Sequence, residues 1–392
     1  MSESELFQLL QRHSPAQAVL SSRAGDRGLA DAAHFPFLAL VSQTEMKLAL
    51  VLTLINPAAG GVLLIGPRGT GKTTAVRGLL DLLPQVQRST CPNGCEPQAA
   101  EVEGMDGVCL DCAAKLIRGE PITAPDRMRL IELPLNARLD DVVGGINERV
   151  ALEQHKVRLE RGLLSMADQN VLFVDEVNLL ADDIADAILD AAAQGIYTVR
   201  RGPLAATYRA RIVLVGSMNP EEGELRPQIQ DRFGLRVLVR GLKDSHDRLQ
   251  VYRRVSAYQT NPHALRAAWA TETLALADEI AQARARLPQV KLTPQVERTG
   301  MAWVKRLRID SHRAEIVLFE AARAHAAAEG RAQADLSDLR AAASMALRQR
   351  RSRFMDDYLA AQAKEERALA TVVCAPYPLR VPWGSARKGA RR

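Results

Sequence analysis

The sequence is poor in aromatic residues, with 3 Trp, 6 Tyr and 7 Phe among 392 positions, and rich in alanine, a balance that favours helices. It also lacks any long uninterrupted apolar run. The longest, from Leu48 to Ile65, is broken by Asn56-Pro57 and Gly60-Gly61, so no segment reads as a membrane-spanning helix. Residues 1–30 have no apolar stretch of the signal-peptide kind; with Glu3, Glu5, Arg12 and Arg23 they read as a loose leader helix. Without an export signal the default compartment is the cytoplasm, where cysteines are reduced thiols or metal ligands. No internal repeat is present. A basic folded surface is missing too. The net charge is +6, but residues 375–392 hold Arg380, Arg387, Lys388, Arg391 and Arg392 and no acid, which leaves +1 for everything before them. The pI of 9.2 therefore says little about nucleic-acid binding by the folded part.

What is present centres on Gly66-Pro67-Arg68-Gly69-Thr70-Gly71-Lys72-Thr73, which reads G-x-x-x-x-G-K-[ST]. The apolar run Val62–Ile65 precedes it with the character of a buried strand. After it, Val76, Leu79, Leu80 and Leu83 recur at helical spacing until Pro84. Strand, glycine loop and helix make a phosphate cradle: glycines let the backbone wrap the phosphate oxygens, and the amides at the helix start attract negative charge. Gly66 to Thr74 would hold the nucleotide, with Lys72 on the β- and γ-phosphates and the Thr73 hydroxyl on Mg²⁺. The sequence thus predicts an NTP-binding protein.

Around this loop, strand-like runs alternate with helical ones: Leu130–Leu133, Val171–Val174, Ile212–Val215 and Leu235–Val239 are strands, with a helix through Ile184 and Ile188 and a β-hairpin over 196–209. Such alternation predicts an α/β fold, a parallel sheet with helices on both faces. From about residue 245 the strands stop, and segments 264–287, 294–308, 312–329 and 336–350 are helical by period. Thr293-Pro294 has the form of a helix start and Gly330 of a helix end. The expected divisions are a leader at 1–34, a nucleotide-binding domain at 35–244 with an inserted Cys-rich segment at 85–128, a smaller all-helical domain at 245–350, and a basic tail at 351–392.

Asp175-Glu176 closes an apolar strand. Beside a phosphate loop, Asp175 would bind the nucleotide's Mg²⁺ and Glu176 would polarise the attacking water. Asn219 closes the next apolar strand, where its side chain could reach the γ-phosphate or that water, although Asn-Pro is also an ordinary turn. Arg232 could project to a neighbouring subunit's γ-phosphate or pair with Asp231, and composition alone does not choose. Arg313, at a helix start, could fold over the nucleotide. His155, His246 and His325 are scattered and do not form a ligand set.

Four of the 5 cysteines form Cys91-x₃-Cys95 and Cys109-x₂-Cys112, with 13 residues between the pairs. That spacing suits a four-thiolate site, zinc ahead of an iron–sulfur cluster, while unligated redox-sensitive thiols are the alternative.

Together, Phe35-Pro36-Phe37 with the pattern V-x-Q-x-x-M-K-x-A-L from Val41, the loop Gly66–Thr73, Val174–Leu180, and above all Asn219-Pro220-Glu221-Glu222-Gly223-Glu224-Leu225-Arg226-Pro227-Gln228 with Asp231-Arg232-Phe233-Gly234 resemble the AAA+ ATPase subunit (subunit I) of magnesium chelatase. The resemblance runs from about Phe35 to Arg350. It implies an AAA+ fold with a helical lid, ATP and Mg²⁺ as ligands, and a homo-hexameric ring driving Mg²⁺ insertion into protoporphyrin. The implied partners are a von Willebrand-type adaptor and a large porphyrin-binding catalytic subunit. It makes Asn219 sensor 1, Arg232 the finger acting in trans and Arg313 sensor 2, with 196–209 and 142–165 as insertions facing the ring interior. Pro67, Ser42, Arg161 and Met218 depart from the family's usual Asp, Gly, Pro and Gly. None removes a catalytic group, yet they leave open a paralogue serving a cobalt chelatase, and a MoxR-like chaperone is a further alternative. A nucleic-acid motor gripping phosphates with Arg200, Arg201, Arg209 and Arg211 is disfavoured by the near-neutral body.

Overall fold

The computed structural model describes residues 33–91, 94–146, 159–202, 204–350 and 362–367. The expected leader except its last two residues, the centre of the 142–165 insertion with His155, Pro203, and nearly all of the tail with Cys374 lie outside the described residues.

Five short strands form a fully parallel sheet in the order β4 (Leu130–Glu132), β5 (Val171–Val174), β8 (Val213–Met218), β1 (Val62–Ile65) and β9 (Leu235–Leu238). Every residue of β1, β5 and β8 is buried, which is why these strands read as continuous apolar runs rather than alternating ones. The pleat divides their side chains between two cores. Val62, Leu64, Phe173, Val215 and Val237 meet the helix Thr44–Ile55 on one face, while Leu63, Ile65, Leu172, Val174 and Leu214 meet the helix Asp182–Gln194 on the other. The α/β sandwich expected from the alternation is present.

The first core continues into the C-terminal helices Ala270–Arg286, Arg313–Ala328 and Leu336–Leu347 through Trp269, Leu276, Ile280, Leu318 and Leu339. The described residues from Ala33 through Arg350 belong to one compact unit. The change near residue 245 is therefore one of element type, not a gap between bodies.

Several local expectations need correction. The helix after the phosphate loop is only Lys72–Gly78, followed by a 3₁₀ turn at Leu79–Asp81. A further helix, Ser245–Thr260, opens the helical part and was not apparent from period, because none of its residues is buried. Strands do not stop at 245 either: β10 (Lys291–Leu292) and β11 (Gln333–Ala334) pair in parallel. By contrast, the hairpin is as expected, β6 (Ile196–Arg201) pairing antiparallel with β7 (Leu204–Arg209). Thr293 caps the helix Pro294–Arg306 by accepting from the Val296 amide, and Gly330 takes φ +74° at the end of the next. His325 is a core residue, bonded to the buried Asp338 at 2.6 Å.

The Cys-rich insert has its own scaffold. β2 (Gln85–Ser89) and β3 (Thr123–Arg127) pair antiparallel and bring the segment's two ends together.

Candidate nucleotide site

Three strand ends meet at one edge of the sheet. β1 delivers Gly66, β5 delivers Asp175-Glu176, and β8, lying between them in the sheet, delivers Ser217 and Asn219. This is the edge where open parallel sheets bind ligands, since loops leaving the carboxyl ends diverge there. Gly66 packs so closely on β9's continuation that a Cβ would lie 2.1 Å from the Val239 carbonyl oxygen. Gly69 and Gly71 take φ of +75° and +85°, the left-handed region that a side chain would strain.

Lys72 is folded back onto its own loop, donating to the carbonyls of Gly66 at 2.6 Å and Pro67 at 2.8 Å. Burial pulls its amine below the ordinary lysine value, and the carboxylates of Asp175, Glu222 and Glu176 oppose that pull. The Thr73 hydroxyl donates to Asp175 Oδ2 at 3.1 Å. Ser217, 1 % exposed, donates from its hydroxyl to the other oxygen, Asp175 Oδ1, and accepts from the Glu176 amide at 3.2 Å. Glu176 has φ +50°, an uncommon backbone for a side chain of that kind and a hallmark of a constrained site. Asn219 is buried, and its Oδ1 accepts from the Glu221 amide at 3.2 Å. Arg68 pairs with Glu222 and lies 3.8 Å from Glu176. Lys72, Thr73, Thr74, Asp175, Glu176, Ser217 and Asn219 share one cleft of about 330 Å³ with the loop.

The donor set fits a magnesium nucleotide. Backbone amides and a lysine suit phosphate, while a hydroxyl and a carboxylate 3.1 Å apart are the hard oxygen donors that Mg²⁺ takes. Beside the loop opens a second cavity of about 570 Å³, lined by Leu40, Val41, Thr74, Val251 and Tyr252 among others. Its apolar wall suits a flat heterocycle. Gln43 on its lining and the preceding Ser42 both have positive φ, and Ser42 donates to Asp247 Oδ2 at 2.7 Å. The family's usual glycine at position 42 has a physical reason in that backbone.

Arg232 and Arg313 are not in this cleft. Both line a different cavity of about 410 Å³ with Gly60, Gly61 and Leu214. Arg232 pairs with Asp190, not with its neighbour Asp231 as the sequence alternative had it. Arg313 donates to the Asp231 carbonyl at 3.3 Å, so it does not fold over its own chain's phosphate loop. The Asp231 carboxylate is held by Arg350 at 2.9 Å and Arg236 at 3.4 Å, a clamp that fixes the short helix Pro227–Arg232. Burial, followed by the repulsion of Arg350, brings the Arg236 guanidinium down to about 10.

Three contributors escaped sequence reasoning: Ser217, the base-cavity wall at Val251 and Tyr252, and the Arg236–Asp231–Arg350 clamp. Only Ser217 left a signal, as a polar residue inside a buried strand. The hairpin arginines are largely committed: Arg201 pairs with Asp140, Arg209 with Glu96, and Arg211 with Asp168 and Glu96. Gripping a polyanion would require breaking those pairs.

A phosphate loop, an acid pair and an asparagine on adjacent parallel strands, together with a match of residues 304–370 to the AAA lid domain, define an AAA+ ATPase. A solved crystal structure of an ATPase candidate from Cytophaga hutchinsonii shares the fold, with a TM-score of 0.52 at 18% identity over 86% of this chain and 91% of that one. Residues 147–233 match the family described as magnesium chelatase, subunit ChlI. The magnesium-chelatase 38 kDa subunit of Cereibacter sphaeroides is 42% identical over 86% of this chain and 98% of its own. The magnesium-chelatase subunit ChlI homolog of Methanocaldococcus jannaschii is 41% identical over 81% and 86%. The chain belongs to the magnesium-chelatase subunit I family. Among the described residues, no helix is long and apolar enough to cross a membrane.

Proposed function

We propose that this protein is the ATP-hydrolysing subunit of a magnesium chelatase, a ligase forming nitrogen–metal bonds, and drives Mg²⁺ insertion into protoporphyrin IX on the path to chlorophyll or bacteriochlorophyll. It works in the cytoplasm, where ATP and Mg²⁺ are supplied together. The observation that carries the reading is the division of labour between two cavities. The phosphate loop, Asp175, Glu176 and Asn219 share one, and the cations Arg232 and Arg313 share another. Lys72 and Arg68 are the cleft's own cations, and with Arg232 and Arg313 elsewhere in the same chain a further cation for the transferred phosphate would come from a neighbouring copy, which a closed ring supplies.

In that ring Lys72 and the loop amides hold the triphosphate, and Thr73 and Asp175 hold Mg²⁺, which neutralises phosphate charge when bound. Glu176 orients the attacking water and accepts its proton, Asn219 positions that water or the γ-phosphate, and Arg232 of the next copy stabilises the charge that develops in transfer. Work is passed to a von Willebrand-type adaptor and a large catalytic subunit that holds the porphyrin. The test is a reconstituted chelation assay with adaptor and large subunit of the magnesium type. ATP-dependent Mg²⁺ insertion, lost with Lys72→Ala, is expected. Insertion of Co²⁺ into a corrinoid precursor by cobalt-type subunits, with none by the magnesium type, overturns the assignment.

A further inference from the structure

The Cys-rich insert lies outside the nucleotide cleft and has no part in the chemistry above. The four sulfurs of Cys91, Cys95, Cys109 and Cys112 lie within 4.8 Å of one another, and all four are thiols, not disulfides. Four thiolates around one zinc at a Zn–S length of about 2.3 Å would stand ~3.8 Å apart in a tetrahedron. Closing from the observed separations needs only small side-chain adjustments. A cluster of several irons binds its thiolates through different iron atoms and spreads them further, so the compact arrangement favours a single ion.

The surrounding backbone is shaped for the same purpose. The strand pair β2–β3 ends at Ser89 and Thr123, and Thr90 continues it by donating to the Ile122 carbonyl at 2.9 Å, which holds Cys91 at the mouth of the insert. Gly94, at φ +69°, turns the chain so that its amide reaches the Cys91 carbonyl at 3.1 Å and Cys95 comes back beside Cys91. Cys109 stands at the N-terminal boundary of the helix Leu110–Ile117, which places Cys112 one turn on along the same face. Backbone amides point at sulfur: Cys95 N–H donates to Cys91 Sγ at 3.3 Å, and Cys109 N–H to Cys95 Sγ at 3.2 Å. Amides directed at sulfur are the surroundings that metal-bound thiolates take.

The insert cannot hold this shape by burial. Its core has three buried members, Cys95, Cys112 and Ile122, while Val102, Leu110 and Ile117 stand 83%, 90% and 74% exposed. A segment with so little apolar burial is the kind that a bound metal commonly orders.

The ordered loop also has a mechanical connection. The Gly94 carbonyl, between the first two cysteines, accepts from Arg209 Nη1 at 2.8 Å. Glu96, directly after Cys95, pairs with Arg209 at 3.0 Å and with Arg211 at 2.5 Å. Arg209 ends β7 of the hairpin, and Arg211 lies just before β8, the strand that carries Ser217 and leads into Asn219.

We propose that Cys91, Cys95, Cys109 and Cys112 hold one structural Zn²⁺, and that the metal-locked loop fixes the base of the β6–β7 hairpin through Gly94 and Glu96. This does not depend on the chelatase reading. The ion is separate from the nucleotide's Mg²⁺ and from any metal handled by a partner.

Metal analysis of the full chain, purified reduced and without chelator, should give about one zinc per chain. Cys109→Ser and Cys112→Ser should each bring it near zero, while Cys374→Ser leaves it unchanged. Cobalt replacement should produce the thiolate-to-cobalt and visible bands of a tetrahedral sulfur site, a readout independent of activity. For the second half, Glu96→Ala should keep its zinc and yet show faster amide hydrogen exchange across 196–209. Zinc near zero in the unmutated reduced protein, or iron with acid-labile sulfide in its place, overturns the metal assignment. Unchanged hairpin exchange in both Glu96→Ala and the zinc-free protein overturns the coupling.

Discussion

Ser217→Ala removes one hydroxyl and loosens both acids of the nucleotide site. The Ser217 hydroxyl donates to Asp175 Oδ1 and accepts from the Glu176 amide at 3.2 Å, in a position 1 % exposed to solvent. A buried hydrogen bond to a charged acceptor contributes about 1.5–3 kcal/mol, and an amide left without its acceptor costs about 1 kcal/mol or more. The variant should therefore unfold with a free energy lower by roughly 2–4 kcal/mol. The larger consequence is functional. Without the hydroxyl, Thr73, at 3.1 Å from Oδ2, is the remaining side-chain hydrogen-bond donor to the Asp175 carboxylate among the described residues. Loss of a group that orients a metal ligand costs about 10–100-fold in metal affinity or activity. A Mg²⁺ titration of ATP turnover should show the half-saturating Mg²⁺ raised by about that factor. Binding of the nucleotide's triphosphate, which rests on Lys72 and the loop amides, changes little. Urea unfolding supplies the stability measurement, and Ser217→Thr, which keeps the hydroxyl, should retain most of the Mg²⁺ response. If Ser217→Ala matches the unmutated protein in both Mg²⁺ midpoint and unfolding, the bonds drawn to Asp175 and Glu176 do not govern the site, and the reasoning fails.

Two other perturbations test different parts of the chain. Arg232→Ala should bind ATP normally and lose turnover by about 10³–10⁵-fold. Mixing it with Lys72→Ala chains should restore part of the activity, because some interfaces then pair an intact loop with an intact arginine. Normal hydrolysis by Arg232→Ala alone would refute the role. Lys47 is 2 % exposed, and burial, then the charge of Arg254, brings its amine from 10.5 down to about 7. Between those values the unfolded chain binds the extra proton, so the cost of burying this amine is full below about 7 and is relieved as pH rises from there towards 10.5. Relative to Lys47→Met, the unmutated protein should gain up to about 1.4 kcal/mol per pH unit from pH 7 to 9. Parallel unfolding curves for the two would contradict the burial argument.

Much of this protein was written locally. β1, β5 and the Val213–Val215 half of β8 are runs of apolar residues a few positions long, buried on both faces, and such runs announce themselves without knowledge of any neighbour. The phosphate loop is equally local, since its glycines, lysine and threonine are contiguous and its flanking strand and helix adjoin it. The acids at 175–176 and Asn219 were legible as polar residues closing apolar strands. The four cysteines were legible by spacing, and the structure draws their sulfurs together. What tertiary structure decided is everything that depends on pairs remote in the chain. The helix Ser245–Thr260 has no fully buried residue and so leaves no apolar period to detect. Ser217 matters only because β8 lies between β5 and β1, an order set by which strands pair and not by their sequence. Asp231 is held by Arg350 from 119 positions away, and Arg313 finds the same short helix instead of its own chain's phosphate loop. Composition and spacing record which side chains can do chemistry. Which of them meet is fixed by the two cores, because packing both faces of the sheet leaves a single arrangement of the loops that carry them.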